Sequence, residues 1–99
     1  MPNIIYKYNA PEIFGMEEKI TLPQFAEFLS LQQQGETLVM WFKVDLTMPN
    51  EDRYFVLQPT GQEFDESNLN YLGTIQWEAA HLKFHGIPVN MVGHLFERL

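Results

Sequence analysis

The clearest pattern of hydrophobic and polar residues lies at positions 28–45. A turn at Gly35 and Glu36 divides this stretch into two segments that predict the arms of a β-hairpin. One side of the second arm carries only apolar residues, namely Leu38, Met40, Phe42 and Val44. The other side carries Val39, Trp41, Lys43 and Asp45. A strand with apolar residues on both sides is typical of the centre of a sheet, so we expect the other strands to pair with this arm or to cover it.

Short segments with alternating apolar residues recur on both sides of this hairpin. They predict strands at 4–8, 18–22, 53–58, 71–77 and 89–98, separated by turns rich in Pro, Gly and Asn. Alternation in the fourth of these segments places Tyr71, Ile75 and Trp77 on one side. Because the connections are too short for parallel crossovers, we expect antiparallel pairing. The pattern predicts one all-β domain over residues 1–99, a small sandwich or barrel of six to seven antiparallel strands.

Two segments fit a helix as well as a strand. Residues 24–34 show helical spacing at Phe25 and Phe28, but they alternate as in a strand from Leu29 onward, and the turn at Gly35 favours the strand. The apolar residues of 76–85 continue the strand or form a short helix. The expected fold is therefore all-β, with at most one short helix.

The composition indicates a folded chain in a reducing compartment. Its residues are 45% hydrophobic and 14% aromatic, which excludes a disordered chain. The absence of Cys excludes a disulfide framework and a thiolate metal site. The first residues lack the pattern of a signal peptide, and the longest apolar run, at 38–42, is too short to span a bilayer. We therefore expect a cytoplasmic protein that does not contact a membrane.

The net charge of −7 limits the classes of partner. An acidic surface repels phosphate backbones, so we expect no direct binding to nucleic acid. The acidic residues are scattered, with short clusters only at 17–18, 51–52 and 63–66. They either keep the chain soluble or form a negative surface that docks on a basic partner and imitates nucleic acid. The sequence leaves both interpretations open.

The sequence lacks the motifs of catalysis and of phosphate binding. Ser30 and Ser67 do not lie in the context of a nucleophile elbow, and there is no P-loop or glycine-rich dinucleotide motif. His81 and His85 have the spacing of two metal ligands on one helical face, but the sequence indicates no third ligand. We therefore expect no enzyme, no catalytic residue, no metal and no cofactor.

A binding surface is a better prediction than a catalytic site. Trp41, Lys43 and Asp45 share one side of the central arm. Arg53 begins the next strand, where it either pairs with Asp45 across the loop or lines a pocket or interface with Trp41. The candidate binding residues are Trp41, Lys43, Asp45, Arg53, Tyr71, Trp77 and His94. In an alternative use of these residues, a nucleotide base would stack on one of the aromatic side chains and a phosphate would meet Arg53 or Lys43.

Several segments together resemble a known family. In chain order they are Ile5-Tyr6-Lys7-Tyr8, Ile20-Thr21-Leu22-Pro23, Leu29-x-x-Gln32-x-Gln34-Gly35, Trp41-x-x-Val44-Asp45, Tyr71-Leu72-Gly73-Thr74 and His94-Leu95-Phe96-Glu97. The combination resembles a family of small, uncharacterised proteins of phages and of bacteria that carry prophages. The family has no assigned enzyme activity, and the resemblance implies a phage accessory protein that acts in the cytoplasm of the host cell.

On these grounds we expect a non-enzymatic phage accessory protein that binds and inhibits a host protein. The target would be an antiviral defence factor or a nucleic-acid-handling factor. One alternative is a small-molecule binder that sequesters a nucleotide signal, and another is a minor structural or assembly protein of the virion. A homo-oligomer is compatible with all three, because a small β domain has exposed sheet edges.

Overall fold

The computed structural model describes residues 2–84 and 86–99, and within them the side chains outside 80–84, 87 and 88. The described residues form seven strands, which are β1 (Ile4–Asn9), β2 (Glu18–Pro23), β3 (Glu27–Gln34), β4 (Thr37–Val44), β5 (Asn50–Pro59), β6 (Leu69–Phe84) and β7 (Ile87–Arg98). The helix alternatives are therefore wrong, because 27–34 and 69–84 are strands, while His85 lies outside the described residues. Within the described ranges, no helix has the length and apolar character needed to cross a membrane.

The strands form two antiparallel sheets. The first has the order β1-β4-β3 and the second has the order β2-β5-β7-β6. The all-β, antiparallel architecture is thus confirmed, as a sandwich of two sheets. The hairpin predicted at 28–45 is β3 and β4, and β4 lies at the centre of its sheet as expected.

The core lies between the sheets and is centred on Phe42. The apolar side of β4 faces side chains from β5 and β7, and the buried set includes Leu38, Met40, Phe42, Val44, Phe55, Leu57 and Leu95. The Phe42 ring lies edge-on to the rings of Tyr8, Phe28 and Phe55, with centroids 5.7, 5.6 and 5.9 Å away. Burial of each such side chain contributes roughly 1.5–3 kcal/mol, so aromatic residues from four strands hold the two sheets together.

A β-bulge in β6 changes which side chains face the core. The pairing with β7 shifts between Tyr71 and Gly73. As a result, Ile75 and Trp77 are buried, whereas Tyr71 is exposed and packs edge-on against Phe96. The prediction that Tyr71 shares a side with Ile75 and Trp77 is therefore wrong, because the extra residue of the bulge inverts the alternation.

Candidate functional site

Arg53 lies between the sheets and is already paired. Its Nε donates to Glu97 Oε2 at 2.5 Å and its Nη2 to Oε1 at 2.8 Å, while Nη1 donates to the carbonyl of Ala26 at 2.7 Å. Its guanidinium also lies 5.5 Å from the centroid of the Phe42 ring. The hydrogen bond to Glu97 raises the pKa of Arg53 above its usual value. The predicted pair of Arg53 with Asp45 is wrong, because Arg53 points to the core side, where β7 places Glu97 opposite Phe55.

Asp45 stabilises the loop that follows β4. Its Oδ1 accepts hydrogen bonds from the amide and the hydroxyl of Thr47, at 2.9 and 2.6 Å. Both hydrogen bonds lower the pKa of Asp45 below its usual value, and the bond from the Thr47 hydroxyl has the larger effect. The carboxylate is thus charged at neutral pH and closes a local turn on the surface.

Trp41 and Lys43 lie together on the outer face of the three-stranded sheet. Lys7 of β1 extends over the Trp41 ring, with Nζ 6.0 Å from its centroid, and Lys43 forms a 2.8 Å ion pair with Glu27 of β3. Phe42, which contacts Arg53, points to the opposite face of β4. The predicted pocket lined by Trp41 and Arg53 is therefore wrong, because the two side chains lie on opposite sides of the sheet.

Tyr71 and His94 are connected on the outer face of the four-stranded sheet. The Tyr71 hydroxyl lies 2.5 Å from Thr74 Oγ1, which lies 2.8 Å from His94 Nδ1. His94 Nε2 lies 2.8 Å from the hydroxyl of Thr60. Both ring nitrogens are thus occupied by hydroxyl groups, and no carboxylate orients the imidazole as in a hydrolytic triad. This chain of hydrogen bonds connects the turn after β5 with β6 and β7.

Trp77 is not placed to stack on a nucleotide base, and the described residues contain no cluster of metal ligands. Trp77 is buried and packs against Phe14 at 5.9 Å between ring centroids, so its faces are not available to a base. The described part of the chain contains no group of three or more His, Cys, Asp or Glu residues that could hold a metal ion. His85 and the side chain of His81 lie outside the described residues.

Phe25 is the residue that the sequence analysis missed. It lies in the turn between β2 and β3, the residue is 81% exposed, and its φ angle is +66°. A left-handed backbone costs a residue with a side chain about 1–2 kcal/mol, and a bulky residue with positive φ is an outlier. The spacing pattern treated Phe25 as an ordinary apolar position, because no sequence signal separates an exposed aromatic residue from a buried one.

Phe25 lies at one end of the sandwich with other exposed apolar residues. The amide of Gln24 donates to the carbonyl of Pro49 at 2.9 Å, which fixes the β2–β3 turn beside the β4–β5 loop. That loop carries the exposed Leu46, and the start of β1 pairs with the end of β4. A cleft of about 270 Å³ separates the β1 start from the loop, and it is lined by Pro2, Asn3, Ile4, Asp45, Leu46 and Thr47. We name the exposed residues Ile4, Phe25 and Leu46 the apolar end.

Comparison with known proteins identifies one family. No curated protein and no solved structure matches the chain. A family described as a domain of unknown function, DUF7352, matches residues 1–98, which is nearly the whole length. The resemblance to an uncharacterised family is confirmed to that extent. The chain belongs to the family DUF7352, a domain of unknown function.

Proposed function

We propose that this chain is a non-enzymatic protein that binds a partner protein through the apolar end, with Phe25 as the anchor. One observation carries the proposal: a strained backbone holds an aromatic ring in solvent. Folding does not require this arrangement, because Gly would fit the turn without strain and a polar residue would suit the solvent. Strained positions are concentrated at functional sites, and buried aromatic anchors supply much of the energy of protein interfaces.

The charges beside the apolar end indicate the chemistry of the partner. Asp45 lies on the same loop as Leu46, and Glu51 and Asp52 lie near the start of β5, where it pairs with the end of β2. These carboxylates are not among the ion pairs of the described residues, which are Glu27–Lys43, Arg53–Glu97 and Glu17–Arg98. An apolar centre with an acidic border fits a protein that has an apolar pocket bordered by Lys or Arg. This favours a docking surface over a purely solubilising role for these acids.

The resemblance to phage and prophage proteins supplies the proposed biological setting. In that setting the partner is a host protein in the host cytoplasm, and the bound chain blocks it. An antiviral factor or a nucleic-acid-handling factor fits the charge complementarity, since such proteins carry basic surfaces that receive phosphate backbones. The acidic border would occupy such a surface without any catalytic step.

The variant Phe25→Gly tests the proposal, because it removes the ring and relieves the backbone. We expect the free energy of unfolding to stay unchanged or to rise by up to about 1 kcal/mol, measured by urea denaturation. We expect binding to the partner to fall at least about a hundredfold, as for an interface hot spot. The partner is first captured from a host lysate and purified, and its affinity is then measured by calorimetry.

A matched control is Ile13→Gly, which removes a side chain that is 58% exposed and lies in the β1–β2 connection. This variant should bind the partner as the unchanged chain does. Higher salt should weaken binding, because the acidic border contributes charge pairs. Equal capture of the same proteins by the unchanged chain and by Phe25→Gly would show that the apolar end is not the docking site.

A further inference from the structure

The free edge of β1 is the least protected sheet edge in the described part of the chain. Ile4, Ile5 and Tyr6 are all exposed, and the strand carries no acidic residue. Its pairing with β4 runs without a bulge from Ile4 to Asn9. A straight, apolar edge strand presents unpaired backbone groups to any other strand, and natural proteins usually block such an edge.

The hydrogen-bond pattern shows which backbone groups of β1 are free. The amide of Ala10 donates to the carbonyl of Leu38 at 2.9 Å, directly after the pairing of Asn9 with Val39. In an antiparallel ladder, alternate residues bond to the same neighbour. Even-numbered residues of β1 therefore bond to β4. The amides and carbonyls of Ile5 and Lys7 point to the free edge.

The single charge on β1 leaves most of this edge unguarded. The Lys7 side chain extends away from the edge, over Trp41 on the outer face of the sheet, and its Nζ donates to Gln34 Oε1 of β3 at 2.5 Å. The other described edges have features that disfavour pairing with another strand, namely charged residues, a proline or bulges. Glu18, Lys19 and Pro23 lie in β2, β3 is bulged after Phe28, and β6 is bulged and contacts β3.

We propose that two copies of this chain pair antiparallel through their β1 strands and form one continuous six-stranded sheet. A second copy suits this edge because β1 is free of the acidic residues that would make two chains of net charge −7 repel each other here. The surface goes beyond the partner site proposed above: the two share Ile4, but the test residue of that site, Phe25, lies on the β2–β3 turn.

Charge and hydrogen bonding together select the register of the pair. A residue whose amide and carbonyl point to the free edge can form ladder hydrogen bonds only with a residue of the second copy that is oriented in the same way. Ile5 therefore lies opposite an odd-numbered residue of the second copy. Pairing of Lys7 with Lys7 would oppose like charges. Pairing of Ile5 with Ile5 would leave only residues 4–6 of β1 opposite β1 of the second copy, whereas pairing of Ile5 with Lys7 joins residues 4–8 and opposes no like charges. The two-fold axis then passes between the two copies of Tyr6. Each Ile4 lies opposite the partner's Tyr8, so exposed apolar groups become buried.

Sedimentation equilibrium of the full chain over a range of concentrations tests the dimer and its register. The unchanged chain should show a monomer–dimer equilibrium. Ile5→Lys places like charges opposite each other twice and should weaken dimerisation by about tenfold or more. Ile5→Glu faces Lys7 and should leave dimerisation as strong or make it stronger. Hydrogen exchange of the Ile5 amide should slow as the concentration rises.

The control is Ile13→Lys, which makes the same change at a residue 58% exposed, against 61% for Ile5. This variant should dimerise as the unchanged chain does. A chain that stays monomeric at every concentration overturns the proposal, and so does equal dimerisation of Ile5→Lys and Ile13→Lys. Equal weakening by Ile5→Lys and Ile5→Glu overturns the register. Because none of these variants alters Phe25, failure here leaves the partner-binding test unaffected.

Discussion

Single residues show how one charged pair joins the two sheets. The side chains of Arg53 and Glu97 are only 18% and 13% exposed, and the guanidinium also bonds to Ala26, which precedes β3. The arginine therefore connects β5 and β7 of one sheet to the entry of a strand in the other. Removing one member of a mostly buried pair leaves the other charge without compensation, which is far more costly than the net contribution of the intact pair.

We predict that Glu97→Ala lowers the free energy of unfolding by about 3 kcal/mol, measured by urea denaturation. The double variant Arg53→Met/Glu97→Leu should recover most of this loss, since no charge then remains buried. Glu27→Ala is the control, because it removes the same group from an exposed pair with Lys43 and should cost less than about 1 kcal/mol. Equal losses in Glu97→Ala and Glu27→Ala would contradict the role given to burial.

The sequence indicated that Arg53 is special but could not identify its partner. Glu97 lies 44 positions away, and only the pairing of β5 with β7 brings the two together. Local spacing therefore favoured Asp45, which is nearer along the chain but is bound to Thr47. Phe25 was missed for a related reason, because its strain and exposure depend on a turn held by the β4–β5 loop.

At the scale of the elements, strands with strict alternation were predictable and irregular ones were not. The hairpin of β3 and β4 could be predicted from its turn at Gly35 and from the apolar side of β4. The side of the sheet on which Tyr71 lies could not be predicted, because a bulge adds one residue to a strand and the hydrophobic pattern does not reveal it. Alternation fixes the face of a side chain only as far as the next bulge.

The close packing of β7 against β5 predicts a difference between two glycines. A Cβ added at Gly93 would lie 2.8 Å from Leu57 Cγ, whereas one added at Gly73 in the neighbouring strand would have no contact within 4 Å. Leu57 is fully buried, so the added methyl group would press against the packed core. We expect Gly93→Ala to lower the free energy of unfolding by about 1–3 kcal/mol, and Gly73→Ala to leave it nearly unchanged.

Thermal and urea denaturation of both glycine variants would check this expectation. The double variant Gly93→Ala/Leu57→Ala should cost less than the sum of the two single changes, because the added methyl group fills part of the space that the leucine leaves. Additive losses would show that Gly93 acts through its backbone and not through its contact with Leu57.

For the whole molecule, the sequence could predict an antiparallel all-β fold but not how its strands divide between two sheets. That division depends on pairs distant in the chain, such as β1 with β4 and β2 with β5. One described contact also joins an edge of each sheet. The side-chain Nε2 of Gln33 in β3 donates to the backbone carbonyl of Glu78 in β6 at 2.9 Å. The Oε1 of Gln33 accepts a hydrogen bond from the backbone amide of Glu78 at 3.3 Å.

The side chain of Gln33 thus takes the place of a neighbouring strand for Glu78. We predict that Gln33→Leu speeds hydrogen exchange of the Glu78 amide by about fivefold, which corresponds to the loss of about 1 kcal/mol of hydrogen bonding. Gln32→Leu is the control, because Gln32 precedes it in the same strand and points to the opposite face. If the Glu78 amide exchanges at the same rate in the two variants, apolar packing alone holds the sheets together on this side, and the hydrogen bonds of the Gln33 side chain contribute nothing.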